Sequence, residues 1–343
     1  MNRLENVKNR EWIRNTILHQ DMRRTPYNFM FSPPARCALE HYFNTQDIES
    51  TLDFPIRMTA PVSIKPLYAD PNQYGNTLKD EFGVIWTTSE IDRGSPIAQC
   101  IKEPELSGYN FPRADEEYRY EGLKEWCEEN SEHYTIIWVG DIWERATFMR
   151  GMENILLDVA LNPGFVHELL EGITKYILET MHILFGRFYF DGIAVSDDYG
   201  TQHGMIISPA DWRKLIKPCL YKIYSYAKKH DRSVFHHSCG NITPIIQDMI
   251  EIGLDILHPI QPEVMNIFEF KREFGRDITF CGGLGTQQLL PYGTPEQIRH
   301  EVRRLKEHMG MGGGYILEPG ITIQADVPIE NMVAMIDEAM KAN

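Results

Sequence analysis

The segment Phe235-His236-His237-Ser238-Cys239-Gly240 places an imidazole and a thiol two residues apart at the end of a predicted strand over 233–237. Side chains alternate along a strand, so Phe235, His237 and Cys239 share one face and Val234 and His236 the other. A second predicted strand, 277–281, ends in Cys281. With Ile278 and Phe280 turned toward helices, Cys281 points to the same strand-end mouth as His237 and Cys239. Nitrogen and thiolate donors converging there suit Zn2+. A buried histidine with two core thiols is the competing interpretation of His-x-Cys, and at this point both stand. Carboxylates follow other strand ends: Asp141 and Glu144 after 135–139, Asp197 and Asp198 after 192–196, Glu263 after 255–258, and Glu318 after 314–317. Acids so placed move protons or bind metals, or they cap helices. Asp197-Asp198-Tyr199-Gly200 is the best candidate, because no helix starts directly after it.

The elements that must position these groups become regular only after residue 134. Strands are predicted at 135–139, 192–196, 233–237, 255–258, 277–281 and 314–317. Helices are predicted near 148–159, 163–187, 209–229, 243–252, 266–274, 294–308 and 328–341, with Ser208-Pro209 and Thr294-Pro295 as helix starts. Repeated strand–helix alternation means a parallel sheet with helices outside. The first 130 residues are less regular: an amphipathic helix over 4–19 that includes Leu4, Val7, Trp12 and Ile13, a strand at 27–31 stopped by Pro33-Pro34, a helix at 35–43, and short strands such as 83–86. Adding 27–31 and 84–86 brings the strand count to about eight. No phosphate fingerprint opens the first unit, so a (β/α)8 barrel is favoured over an open doubly wound sheet. Gly310–Gly314 reads as a tight helix-to-strand turn, and Gly282-Gly283-Leu284-Gly285 lacks the full spacing of a nucleotide loop. Trp138, Trp143, Tyr199, Trp212 and Tyr315 either wall a pocket or pack the core.

Composition sets outer limits. The chain has 343 residues, 43% of them hydrophobic, enough for a substantial core. Its 34 Lys and Arg against 49 Asp and Glu give a net charge of −15, the wrong sign for a phosphate backbone, so no nucleic-acid partner is expected. No run of eighteen apolar residues and no apolar leader are found, so no membrane partner and a cytoplasmic location are expected. The six cysteines include no CxxC pair and are expected to be free thiols, core residues or metal ligands.

Together these residues resemble the uroporphyrinogen decarboxylase superfamily, which includes decarboxylases, zinc-dependent coenzyme M methyltransferases and corrinoid-linked methyltransferases. The resemblance covers about residues 20–341 and is strongest after 134. Gly140 with Ala146-Thr147-Phe148-Met149 and Gly151 resembles one family segment, and Asp197-Asp198-Tyr199-Gly200 with Ser208-Pro209 another. His237-Ser238-Cys239-Gly240 is similar to the H-x-C-G signature of the methyltransferase branch, and Gly314–Pro328 to the closing strand and turn. The resemblance implies a (β/α)8 TIM barrel with a rim cleft, residues 26–343 as one barrel domain and 1–25 as an N-terminal helical and loop extension. The departures choose the branch. The decarboxylases' arginine segment falls on Phe31-Ser32-Pro33-Pro34-Ala35, with Arg36 displaced by one. The family tyrosine is Phe148. Both the decarboxylases' late histidine and the third zinc cysteine of the coenzyme M enzymes fall at Ile321.

The resemblance therefore implies a corrinoid-protein-dependent methyltransferase component of the O-demethylase type. It would move a methyl group between a small methylated substrate and a cobalamin carried by a partner corrinoid protein, with the aromatic and loop surface near residues 60–115 as the docking rim. Zn2+ is the expected cofactor on His237 and Cys239, with Cys281 as third ligand and Glu318 as its substitute. Asp198 and Glu318 are expected to be catalytic, and Asp141, Asp197, Tyr199, Gln261 and Glu263 to bind substrate. A decarboxylase acting on a smaller acid and a non-catalytic barrel that binds a tetrapyrrole or corrinoid remain as alternatives.

Overall fold

Each crossover after Tyr134 is long enough to return the chain parallel to its starting strand, and the sheet forms accordingly. The structure, a computed structural model, describes residues 8–20 and 24–342. Seven strands form one parallel sheet in sequence order: β1 (Ile56–Thr59), β2 (Tyr134–Gly140), β3 (Gly192–Ser196), β4 (Ser233–His237), β5 (Ile256–Ile260), β6 (Thr279–Leu284) and β7 (Tyr315–Pro319). Helices lie between successive strands, including Pro163–Arg187, Lys217–Lys229 and Pro295–Met309.

The sheet curls on itself. Ile56, Ile136, Ala194, Phe235, Ile256, Cys281 and Ile316, one from each strand, pack together as a single inner cluster. Side chains from the far edges of a flat sheet could not meet. Ile13, from the helix Asn9–Ile17, joins this cluster, and that helix touches β1, β2 and β7, spanning the two sheet edges. This is the α/β architecture of a TIM barrel. The amphipathic pattern at Leu4 and Val7 lies outside the described residues.

Two expectations about the strands need correction. Residues 84–86 belong not to the barrel but to a separate three-stranded antiparallel sheet, Thr77–Lys79, Ile85–Thr87 and Pro96–Ala98. The first barrel strand is instead Ile56–Thr59, whose Ile-Arg-Met-Thr sequence carries no run of apolar residues. The eighth position is held by residues 27–31, which make only isolated bridges, Tyr27 to Leu317 and Phe31 to Ile323. The bridges are four residues apart on one side and six on the other, so a continuous ladder cannot form. Across the remaining gap, the Tyr27 hydroxyl donates to Leu52 O at 2.9 Å and Phe29 packs edge-on against Phe54.

Several predicted helices divide where the backbone demands it. The helix expected over 148–159 is two, Trp143–Arg150 and Met152–Leu161, parted at Gly151 with φ of 90°. The helix expected over 209–229 breaks before Pro218, which cannot donate to the preceding turn. The Gly310–Gly314 turn is as expected, with φ of 76°, 76° and 62° at its last three residues. Gly282 and Gly283 lie inside β6 and form no loop. No described helix is long and apolar enough to cross a membrane.

Candidate active site

The interior parity of each strand decides what reaches the C-terminal mouth, where barrel enzymes carry their chemistry. On β4, Phe235 faces inward, so His237 does too, and Cys239 follows just beyond the strand. On β3, Ala194 faces inward, so Ser196 and then Asp198 point into the mouth. His236 takes the opposite face and bonds the Tyr224 hydroxyl at 2.7 Å under the helix Lys217–Lys229.

The connection after β4 is pinned from three sides. Cys239 N donates to Asp198 Oδ1 at 2.7 Å, Gly240 N donates to Gln261 Oε1 at 2.6 Å, and Ser238 Oγ accepts from Tyr199 N at 3.1 Å. Gly240 has φ of 80°, and a Cβ there would sit 2.3 Å from the Gly200 carbonyl carbon, so only glycine lets the two rim loops touch.

Asp198, His237 and Cys239 each offer a donor atom, all within 4.8 Å of one another. Cys239 Sγ is 3.4 Å from His237 Nε2, which is 3.5 Å from Asp198 Oδ1. The group is half-buried. Burial and then Asp198 push the Cys239 thiol well above its ordinary value, and burial holds His237 neutral. Nearby, burial and then Asp198 and Asp141 raise Glu144 to about 7, against the opposing pull of Arg93 at 3.2 Å. A neutral imidazole, a thiol and a carboxylate beside a second acid form an anion-rich set that a cation would relieve. Three N, S and O donors leaving a fourth position open are the set of a catalytic zinc site, and a metal ionises such a thiol outright. The donors therefore fit Zn2+.

Other expected site residues are placed differently. Cys281 faces the interior but does not join His237 and Cys239. Its strand continues to Leu284, and at about 3.3 Å per residue those extra residues leave Cys281 deep below the mouth. There it donates to Glu318 Oε2 at 2.9 Å and groups with His258. Glu318 is 3% exposed, with burial raising it to about 8, so it does not open onto the mouth. Asp197 has the outward parity and is completely buried, accepting from Ile142 N, Glu144 N and the Tyr199 hydroxyl. Asp197 and Tyr199 thus hold the rim loops and reach no substrate. Gln261 is a brace for Gly240, and Glu263 is exposed and accepts from Gln287 N at 3.1 Å. Asp141 does reach the cleft, paired with Arg145 at 3.1 Å.

Sequence reasoning missed the cations. A cleft of about 640 Å³ beside the mouth is lined by Lys65, Trp86, Arg93, Asp141, Arg145 and Phe148, among others. Arg145 is spent on Asp80 and Asp141, Arg93 on Glu144, and Lys65 on the carbonyls of Pro66 and Arg93. Of the five aromatic candidates, only Trp138 is part-exposed, edge-on to Phe235 and 6.4 Å from the His237 ring, while Trp143, Tyr199, Trp212 and Tyr315 are core. A larger depression lies outside the barrel, between Pro163–Arg187 and Lys217–Lys229, away from these groups.

Comparison with known proteins bears on the family and the fold. The chain is 36% identical over 212 residues to a uroporphyrinogen decarboxylase of Pseudoalteromonas translucida, covering 58% of this chain and 56% of that one. It is 21% identical over 194 residues to a methylated-thiol–coenzyme M methyltransferase of Methanosarcina mazei, covering 56% and 48%. The chain thus spans about half the length of the curated relatives it matches. A solved methyltransferase from Methanosarcina mazei shares the fold, with a TM-score of 0.71 over 97% of this chain and 98% of that one at 15% identity. The family model described as uroporphyrinogen decarboxylase (URO-D) matches residues 105–342, and the chain belongs to that family.

Proposed function

We propose that this chain is the methyltransferase component of a corrinoid-dependent system of the O-demethylase type. One observation carries the reading: Asp198, His237 and Cys239 converge at the barrel mouth beside a cleft. In this reading a small methylated compound lies between Trp138 and Phe148, and a partner corrinoid protein covers the mouth and presents Co(I). The methyl carbon would leave its heteroatom without the bonding pair, the partner's corrinoid would supply the new pair, and the heteroatom would take a proton. Zn2+ held by His237, Cys239 and Asp198 would supply Lewis-acid polarisation of that heteroatom. Glu144, whose carboxyl burial raises to about 7 in the metal-free chain, is the acid placed to give the proton. Val62, Ile64, Leu67, Ile91 and Ile97, each between 44% and 61% exposed, give the segment 60–100 an apolar surface suited to the partner.

The cations of the cleft favour a second reading, a decarboxylase for a small acid. Against a polycarboxylate stands their pairing, since each is already spent on a carboxylate or carbonyl. The test is to mix zinc-loaded protein, methoxyaromatic compounds and free cob(I)alamin, and to follow methylcobalamin by absorbance. Methyl transfer that falls at least about 100-fold in His237→Ala supports the reading. No transfer with any methylated ether or thiol, together with carbon dioxide release from a carboxylated substrate, replaces it with the second.

A further inference from the structure

Below the mouth lies a second cluster, from three consecutive strands. His258, Cys281 and Glu318 are 0%, 0% and 3% exposed, and their donor atoms lie within 4.8 Å of one another. Cys281 Sγ is 2.9 Å from Glu318 Oε2, and His258 Nε2 is 3.8 Å from the same oxygen. His258 Nε2 is buried without a hydrogen-bond partner and is aimed into this group. A buried polar atom left so costs about 1–3 kcal/mol. Parallel register sets His258 beside His237, and the two rings meet through Nδ1 atoms 2.9 Å apart.

That contact ties the clusters together. Two ring nitrogens at hydrogen-bond distance share one hydrogen, since two would clash and none would set lone pair against lone pair. A neutral imidazole carries one N–H. If His237 donates, its Nε2 is bare beside Asp198 and Cys239, and the hydrogen of His258 sits on Nε2, toward Glu318. If His258 donates, its Nε2 is bare beside Cys281 and Glu318, and the hydrogen of His237 sits on Nε2, toward Asp198. Only a bare nitrogen ligates.

We propose that His258, Cys281 and Glu318 form a second divalent-metal site, and that it excludes simultaneous occupation of the Asp198–His237–Cys239 set, so that the chain holds one ion in either of two places. Loading either set releases the proton of its thiol, and loading the inner set also releases any proton on Glu318. Transfer from the outer to the inner set returns a proton to Cys239 and takes one from Cys281 and any held by Glu318, while each ring keeps one hydrogen. An ion in the inner set is shut away from the cleft, which makes that state inactive under the proposed function. The inner site itself does not depend on methyl transfer.

Co2+ is the probe, because its thiolate charge-transfer band reports sulfur ligation. Metal-free protein is titrated with Co2+ as wild type, Cys239→Ser, Cys281→Ser and the double variant. The expected result is one ion per chain in wild type, one thiolate-ligated ion in each single variant, and loss of the charge-transfer band in the double variant. Absence of the band in Cys239→Ser removes the inner site, and this arm leaves the buried layer untouched, so it holds even if Cys281→Ser fails to fold. Two ions per chain in wild type overturn the exclusion. Loss of the band in folded Cys281→Ser alone removes the outer site, and with it the proposed function, while leaving the inner site standing.

Discussion

The two ends of the barrel treat a buried acid in opposite ways. At the N-terminal end, Asp191 precedes β3 with its side chain 2% exposed, and it accepts from Arg10 at 2.8 Å, Arg14 at 2.9 Å, Thr135 N at 3.0 Å and Thr135 Oγ1 at 3.2 Å. Both arginines come from the helix Asn9–Ile17, so the same contacts tie that helix across the barrel floor. At the C-terminal end, Glu144 and Asp198 stand near a thiol and a neutral histidine, with the half-exposed Arg93 as the direct ion-pair partner of Glu144. One end satisfies its charges and holds the fold. The other keeps them under-neutralised, which favours a cation or a proton.

The largest way to break this contrast is Asp191→Ala. It leaves Arg10 and the buried Thr135 N without their carboxylate, while Arg14 keeps Glu11, and should cost about 3 kcal/mol, by the scale of broken buried pairs, read as a lower urea midpoint with unchanged Co2+ uptake per folded chain. Asp198→Ala should do the reverse, lowering methyl transfer about 100-fold while the urea midpoint falls only by the equivalent of the roughly 1 kcal/mol of the lost Cys239 N hydrogen bond. A matching loss of stability in Asp198→Ala would erase the distinction between the two ends.

The next effect is a pH dependence of stability. Burial raises Glu144 from 4.5 to about 7, so between those values the folded chain holds a proton that the unfolded chain has lost. The stability this contributes is fully present below about pH 4.5 and is lost as pH rises through 7. In metal-free protein, Glu144→Gln should therefore gain on wild type by on the order of 1–2 kcal/mol between pH 4.5 and pH 8, measured by urea unfolding at both. An unchanged difference would show that Arg93 fully neutralises the acid. The smallest effect belongs to Glu263→Ala, whose exposed carboxylate meets one backbone N–H. Its unfolding free energy should move by less than about 0.5 kcal/mol, and a large loss of activity would restore Glu263 to the site.

The second half of the chain was readable because crossover helices and apolar strands leave strong periodic signals. Residues 163–187 and 192–196 fall where the pattern puts them. β1 was not, since Ile-Arg-Met-Thr is too short and mixed to stand out from loop. In the site, His237, Cys239 and Asp198 were legible from type and position. Asp197 and Asp198 looked alike, yet neighbours on a strand face opposite sides, and applying the parity of Ala194 would have separated them. Cys281 misled because a glycine-rich stretch was read as ending a strand that in fact runs on to Leu284. His258 was overlooked because its importance comes from register with His237, which a single sequence does not display.

The bridge between Tyr27 and Leu317 gives the ring an order of assembly. Residues far apart in sequence, Tyr27 and Leu317, must meet before the barrel closes. The entropic penalty of closing so long a loop grows only logarithmically with length, so it burdens the rate more than the final stability. On a ribosome, β1 to β6 can pair in the order in which they emerge. The seam must wait until Leu317 and Ile323 have emerged. Until then Phe29, Phe54 and the inward faces of both edge strands lie open to solvent, and the nascent protein is most exposed to aggregation just before β7 emerges.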